Sequence, residues 1–191
     1  SYDSRFLLIQ TSNNEIKVYK RPDNTKHQNT SFHTELIGTI DNADATMSMS
    51  DNNVLVTRDS TTELLRVYSI TENSITQTHT INDVSSLTYH NGSSQTRTRT
   101  GYWSAYISND GKTIVANMSY YGLSIFRLVN NNWVYDVTIK ENQNNIVIAN
   151  YAINANGNYI IYTTYENNVY VYYYNIQIWS QLGSSLTNGT A

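Results

Sequence analysis

Few residues of this chain are of the types that catalyse reactions or bind metals, and those few are scattered. Its histidines are His27, His33, His79 and His90, and neither HExxH nor another metal-ligand spacing joins them. Cysteine is absent, which removes thiolate ligands and disulfides. His27 and His33 flank a polar loop, and His79 lies in an alternating Thr-His-Thr-Ile stretch. The sequence therefore predicts surface or structural histidines, with no metal and no cofactor.

Nucleophilic and acid–base catalysis have no recognisable motif in this chain. Neither a Gly-x-Ser-x-Gly elbow nor a phosphate-cradling Gly-rich loop occurs. The 15 acidic residues are dispersed. A glycosidase needs two carboxyl groups roughly 5–10 Å apart across a cleft, a placement that sequence does not reveal. We therefore predict a protein that is not an enzyme, and keep a glycosidase as the less favoured alternative.

Four Asn-x-Ser/Thr sequons, at Asn29, Asn91, Asn117 and Asn188, are candidate glycosylation sites. Asn117 lies inside a predicted strand and is the least favoured, whereas the other three lie in polar loops or the tail. Together with a low lysine content, they predict an extracellular or cell-surface glycoprotein. Because the chain begins without Met and shows no signal peptide, we expect a processed or excerpted sequence.

Composition indicates an all-β protein that does not bind nucleic acid. The 17 tyrosines and the abundant threonine favour strands, asparagine favours turns, and no long window has helical apolar spacing. The net charge is −3 and only 14% of residues are charged. The nearest basic cluster, Arg97 and Arg99, alternates with threonine, as on a solvated strand face. No apolar run approaches the roughly 20 residues of a membrane helix.

Strand patterns repeat four times along the chain. The clearest unit has predicted strands at 103–108, 113–118, 123–128 and 133–139, joined by Asn-Asp-Gly and Asn-rich turns typical of hairpins. In each unit the fourth strand ends in an aliphatic residue, which we assign to Ile40, Ile81, Ile139 and Leu182. Such four-stranded units, at roughly 40–50 residues each, are typical of β-propeller blades.

The first unit has only three of its four strands, because Ser1 stands just before the turn that should follow strand one. The tail after Gly183 has about the length of the missing strand. We therefore predict one all-β domain, a four-bladed propeller whose first blade is completed by the C-terminal strand of the same or a neighbouring subunit. The predicted blades are 1–40 with 184–191, 41–81, 82–139 and 140–183.

Three motifs resemble the propeller repeats of secreted WD-like and integrin-like proteins. They are SNDGKTIVA at Ser108–Ala116 followed by GLSIFRL, the W-x-Q-L-G ending at Trp179–Gly183, and the opening SYDSRFLL. The resemblance spans nearly the whole chain and implies the propeller fold. The Trp-Asp dipeptide of intracellular WD repeats and the Asp-rich calcium loop of integrin-like blades are both missing. A calcium site is therefore not implied.

The tail leads to two interpretations of function. In the first, copies join head to tail by strand exchange, which produces a glycosylated filament or surface-layer subunit. In the second, a monomer closes itself with its own tail and binds glycans or proteins. The candidate binding elements are the Tyr170–Tyr174 run and the loops 22–31 and 82–101, each of which has a purely structural alternative. The predicted closure residues are Ser184, Ser185, Leu186, Thr187, Asn188, Gly189, Thr190 and Ala191.

Overall fold

The regular elements are strands throughout the described part of the chain. The computed structural model describes residues 5–21, 34–81, 101–118, 122–139 and 147–187, and the backbone of 88–90 and 96–98. The strands of these residues form four antiparallel sheets of consecutive strands and one small hairpin. The predicted all-β class is thereby confirmed.

The sheets follow one another along the chain, and we call each of the four a blade. The first blade has β1 (Phe6–Gln10), β2 (Ile16–Lys20) and β3 (Glu35–Ile40). The second has β4 (Ala43–Met49), β5 (Val54–Asp59), β6 (Leu65–Ile70) and β7 (Ile75–Ile81). The hairpin comprises β8 (Thr88–His90) and β9 (Thr96–Thr98). The third has β10 (Ser104–Ile107), β11 (Thr113–Asn117), β12 (Leu123–Val129) and β13 (Asn132–Ile139). The fourth has β14 (Ile148–Ile153), β15 (Tyr159–Thr164), β16 (Val169–Tyr174) and β17 (Trp179–Gln181).

Asparagine supplies many of the turns between strands. Asn14, Asn53 and Asn167 have φ values of 58°, 63° and 61°, and the Asn130–Asn131 turn before β13 has 49° and 63°. Most L-residues avoid this left-handed region, but the short side chain of asparagine tolerates it. The asparagine-rich composition thus serves the tight connections that hairpins require.

In the part of the chain that the structure describes, three apolar cores lie between successive blades. The first joins blades one and two around Ile16, Val18, Leu55 and Tyr68. The second joins blades two and three, and the third joins blades three and four. Strand β11, in the middle of this array, is buried on both faces. Blade-against-blade packing is therefore what turns four small sheets into one folded unit.

Turns of successive blades are also tied by backbone hydrogen bonds. The N–H of Asp51 donates to the carbonyl of Asn109 over 2.9 Å, and the N–H of Asp110 donates to the carbonyl of Ala155 over 3.0 Å. The first strands are neighbours as well, since β10 contacts both β4 and β14. These contacts form a polar rim that keeps the blades in sequence order.

The end of the chain pairs with the fourth blade. Leu186 forms an antiparallel bridge with Val169, with N···O distances of 2.9 and 3.0 Å in the two directions. Leu186 was among the residues predicted to complete the first blade, which has three strands in the described residues. The difference arises because Leu186 continues the outer strand of blade four past β17. Asn188–Ala191 lie outside the described residues, so closure of the first blade by them stays a prediction.

Candidate functional site: the outer faces of the first and last blades

The residues singled out for chemistry form no cluster within the described part of the chain. His79 lies on β7, where its Nδ1 is buried without a hydrogen-bond partner; His90 is on β8, and His27 and His33 lie outside the described residues. No cluster of three or more potential metal ligands occurs among the residues that the structure describes. Within the same residues, no helix has the length and hydropathy of a membrane span.

Of the four predicted glycosylation sites, Asn117 lies within the described residues. Asn117 ends β11 with 6% of its surface exposed, where an attached glycan would have no room. Asn29, Asn91 and Asn188 lie outside the described residues.

Two carboxylates do meet at one cation. The Arg58 guanidinium binds the Asp44 carboxylate through Nη1 and the Glu63 carboxylate through Nη2, the latter at 2.7 Å. Arg58 itself is mostly buried, whereas both carboxylates are partly exposed, and the cluster keeps one net negative charge at the surface. This ion-pair cluster fixes β4 beside the turn before β6, and it does not support the glycosidase alternative.

Strand register reveals one repeated set of side chains, which we call the outgoing face of a blade. It consists of a central residue of the second strand, two residues of the third strand and the end of the fourth. In the three-stranded first blade, β1, β2 and β3 count as the second, third and fourth strands of the repeat. In every blade the residue of the second strand pairs with one residue of the third strand, and the other residue of the third strand pairs with the end of the fourth. The four sets are Leu8, Ile16, Val18 and Ile40; Val56, Leu65, Val67 and Ile81; Val115, Leu123, Ile125 and Ile139; and Ile161, Val169, Val171 and Leu186.

The outgoing face is covered in three blades and open in the fourth. Residues of the first three sets lie in the three inter-blade cores. In the fourth blade, Ile161 is 45% exposed and Leu186 is 66% exposed, although both are aliphatic like their equivalents. None of the cores formed by described residues joins the fourth blade to the first. The last blade therefore presents an apolar sheet face to solvent.

The incoming face is the opposite side of each blade, marked by an aliphatic residue paired with an aromatic one. In the second, third and fourth blades the pairs are Leu55–Tyr68, Ile114–Phe126 and Ile160–Tyr172, and they contribute to the cores. In the first blade the pair is Leu7–Tyr19. Within the described residues no other blade packs on this face, and Leu7 is 44% exposed, with Ile9 beside it equally open.

A backbone acceptor follows the same repeat. The carbonyl of Asn14 accepts the N–H of Ala43 over 2.7 Å, and the carbonyl of Glu63 accepts the N–H of Tyr102 over 3.0 Å. Each acceptor stands two residues before its third strand and has a positive φ, 58° and 62°. Asn167 is the equivalent in blade four, with φ 61°. Its carbonyl thus occupies in blade four the position of the two acceptors.

Polar contacts join blades three and four. The Arg127 guanidinium carbon of blade three lies 3.5 Å from the centre of the Tyr174 ring in blade four. Its Nε donates to the Asp136 carboxylate over 3.0 Å, and the Trp179 Nε1 donates to the same oxygen over 3.1 Å. Blades three and four are thus joined by a cation–π contact and a shared carboxylate.

Burial also raises the pKa of tyrosine hydroxyl groups where blades meet. Burial raises the pKa of Tyr151 far above its usual range, and the hydrogen bond to Ser104, at 2.8 Å, opposes this only in part. Tyr151 therefore remains a neutral hydroxyl that links β14 to β10. Burial likewise raises the pKa of Tyr68, on β6. Both tyrosines stabilise packing in a neutral form.

Reasoning from sequence missed the end of the fourth outgoing face. We assigned the aliphatic end of that blade to Leu182, but the residue opposite Val169 is Leu186. Tyr172 pairs with Gln181, and Val169 pairs with Leu186. Between these two pairs β16 advances by three residues, whereas the outer strand advances by five. Gly183, with φ 73°, lies in this irregular stretch and was the available signal.

Solved structures similar to this chain are β-propellers. The chain matches the β-propeller domain of Cps50 (Swd1) from Myceliophteria thermophila with a TM-score of 0.62 and 10% identity, covering 97% of this chain and 56% of that one. It matches Hsv2 of Kluyvelomyces marxianus with a TM-score of 0.64 and 9% identity, covering 98% and 55%. The propeller fold predicted from the repeats is confirmed. The WD-like or integrin-like type of repeat stays a prediction.

A third similar structure corrects the prediction that the chain is not an enzyme. It is a putative 6-phosphogluconolactonase from Bacteroides uniformis ATCC 8492, with a TM-score of 0.63, 18% identity, and coverage of 97% of this chain and 52% of that one. Propeller enzymes can gather their side chains from several blades, so a missing local motif is no ground for excluding catalysis. At this identity the likeness shows the fold alone.

The chain spans about half the length of the solved structures it matches. No family model matches it, and neither does any curated protein at the level of sequence.

Proposed function

We propose that this chain is an assembly module that joins further propeller blades through its terminal faces. The observation that carries the proposal is the outgoing face of the fourth blade. It repeats an aliphatic set that is buried three times within the same chain, yet it is open to solvent. Exposed apolar faces of this kind mark protein–protein contacts.

The size of the hydrophobic contribution indicates that a whole face must dock. Burying a Val, Leu or Ile side chain completely contributes about 1.5–3 kcal/mol. The side chains of the outgoing face are already partly covered by their own sheet, so each would gain roughly half of that. Association costs on the order of 4–15 kcal/mol. One exposed side chain is therefore insufficient, and association requires that both open faces contribute over their full extent.

An extracellular location belongs to the same proposal. The sequons at Asn29, Asn91 and Asn188, and a surface with few charges, support it. Mass spectrometry of the protein from its native source, before and after enzymatic removal of N-glycans, tests this part. We expect added mass on at least one of the three asparagines and none on Asn117. Unmodified peptides at all three would contradict the glycoprotein proposal.

A charge placed on the outgoing face tests the assembly role. We expect Ile161→Glu to weaken association at least about 100-fold, because a carboxylate buried without a partner costs about 3–5 kcal/mol. The matched control is Val134→Glu, on the outer strand of the third blade, where the side chain is 48% exposed. Molar mass from light scattering over a concentration series measures the effect, and thermal melting verifies folding.

The proposal requires that the unmodified chain and the Val134→Glu variant associate alike. A chain that stays at the 21.8 kDa of one copy at every concentration would contradict it. Equal loss of association in both variants would also contradict it, since the effect would then be one of general surface charge.

A further inference from the structure

We propose that the partner at both open faces is a second copy of this chain, and that two copies close head to tail into one ring of eight blades. The inference rests on the proposed assembly function and names its partner. It starts from the fact that one chain carries both halves of the junction. The outgoing half is on blade four and the incoming half is on blade one.

The two open halves match the internal junctions in side-chain type. Where blades one and two meet, Val18 of the outgoing face lies in one core with the incoming pair Leu55–Tyr68. In the proposed contact, Val171 would take the place of Val18, and Leu7–Tyr19 would take the place of Leu55–Tyr68. The aliphatic–aromatic pair is thus the same, Leu with Tyr, at the buried junction and at the open blade.

Backbone and chain path agree with the same docking. The Asn167 carbonyl occupies the position from which Asn14 and Glu63 accept the N–H of the next blade. Leu186, opposite Val169, also occupies the position of Ile40, which lies opposite Ile16 and leads through Asp41 and Asn42 into strand β4. A blade docked on this face therefore meets the same hydrogen-bond acceptor as the internal blades.

Head-to-tail contacts use two different surfaces, so they either close into a ring or continue as a fibre. The propeller domain of Cps50 is a ring of blades, and this chain superposes on 56% of it. Four blades with similar packing thus span slightly more than half of such a ring. Two copies would close as a somewhat wider ring of eight blades, at the upper end of the four to eight blades typical of propellers. In that ring the fourth blade of the second copy would pack on the first blade of the first.

The absence of cysteine makes a directional cross-linking test possible. The double variant Leu7→Cys with Ile161→Cys places one thiol on each open face. At the junction of blades three and four, Ile160 is the equivalent of Leu7 and Val115 is the equivalent of Ile161. These two residues lie in the same core, so the two thiols should be close across the contact. A short bismaleimide cross-linker is added to the assembled protein, and products are separated on a denaturing gel. The single variants and Val134→Cys serve as controls.

We expect the double variant to give a covalent product of two chains and nothing larger. Mixing the two single variants should give a two-chain product, whereas each single variant alone should stay uncross-linked. The unmodified protein should reach a molar mass of two chains that does not rise further with concentration.

Three results would overturn the inference. A ladder of products, with a mass that rises with concentration, means an open fibre; the ring fails, but the assembly function stands. Cross-linking of one single variant with itself means face-to-face pairing, and head-to-tail closure fails. An unmodified protein of one-chain mass at every concentration means that the proposed function itself fails.

Discussion

Among individual residues, Asp59 shows how one carboxylate organises a blade. It accepts hydrogen bonds from the N–H groups of Thr61 and Thr62, at 2.9 and 2.7 Å, and lies 3.4 Å from the Nε of Arg66. Burial would raise the pKa of this carboxyl, but these donors and the Arg66 charge outweigh burial and hold the pKa below its ordinary value. Arg66 in turn donates to the carbonyls of Asp41 and Asn42. One carboxylate thus ties the turn after β5 to the connection between blades one and two.

This pKa shift predicts a pH dependence of stability. A carboxyl whose pKa is lower in the folded state stabilises the fold above its unfolded pKa, and this contribution is lost as pH falls through the folded value. We expect Asp59→Asn to lower the free energy of unfolding by about 1 kcal/mol at pH 7, because it removes charge-assisted hydrogen bonds. The difference from the unmodified chain should shrink as pH falls below about 4.

Urea denaturation at several pH values measures this effect, and the exposed Asp41→Asn serves as the control. A difference that stays constant from pH 7 to pH 3 would show that the Asp59 charge contributes nothing.

Among the structural elements, the turns between first and second strands hold the rim together. Gly111 has φ 69°, and a Cβ added there would lie 2.3 Å from the Asn52 Oδ1 of the preceding blade. Asn52 also donates through Nδ2 to the carbonyl of Asp110 over 3.3 Å. Glycine at this position therefore meets two requirements, a left-handed backbone and the close approach of the neighbouring turn.

Gly111→Ala should be clearly more destabilising than Gly183→Ala. Both glycines have a positive φ, 69° and 73°, so both substitutions incur the left-handed penalty of about 1–2 kcal/mol. Only at Gly111 does the new methyl group also displace the neighbouring turn, since nothing lies within 4 Å of the site at Gly183. Chemical denaturation of the two variants measures the difference. Equal losses would mean that the contact with Asn52 contributes nothing.

Sequence predicted these elements well where turns are short and register is regular. The second, third and fourth strands of the third blade are close to their predicted positions, because Asn-Asp-Gly and the Asn-rich turns define hairpins locally. The end of the fourth blade was missed because its irregular stretch shifts the pairing by two residues. Leu182 and Leu186 fit an aliphatic strand end equally well, and only pairing with Val169 distinguishes them.

The molecule as a whole is an array of blades with two unlike ends. The cores formed by the described residues all lie at internal junctions, and the outer faces of the first and last blades repeat the two halves of such a junction. Removal of residues 188–191 tests the role of the segment beyond the last blade. If this segment enters the first blade of a neighbouring copy, its loss should weaken association about tenfold or more, since each lost hydrogen bond contributes roughly 0.5–1.5 kcal/mol. The melting temperature of dilute monomer should not change.

Sedimentation velocity and dilute-solution melting measure these two properties. The control is a chain of full length in which residues 188–191 are replaced by a Gly-Ser sequence of equal length. A lower melting temperature with unchanged association would show instead that these residues close the first blade of their own chain.

The strands, the fourfold repeat and hence the propeller fold could be predicted from the amino-acid sequence, because hairpin turns and strand patterns are local properties of the chain. The covering of the apolar faces could not, since burial depends on what lies opposite a side chain in space. Ile161 and Val115 have the same character in sequence, and they differ only because another blade packs on Val115. The open junction between the last blade and the first therefore became visible only when the blades were packed together.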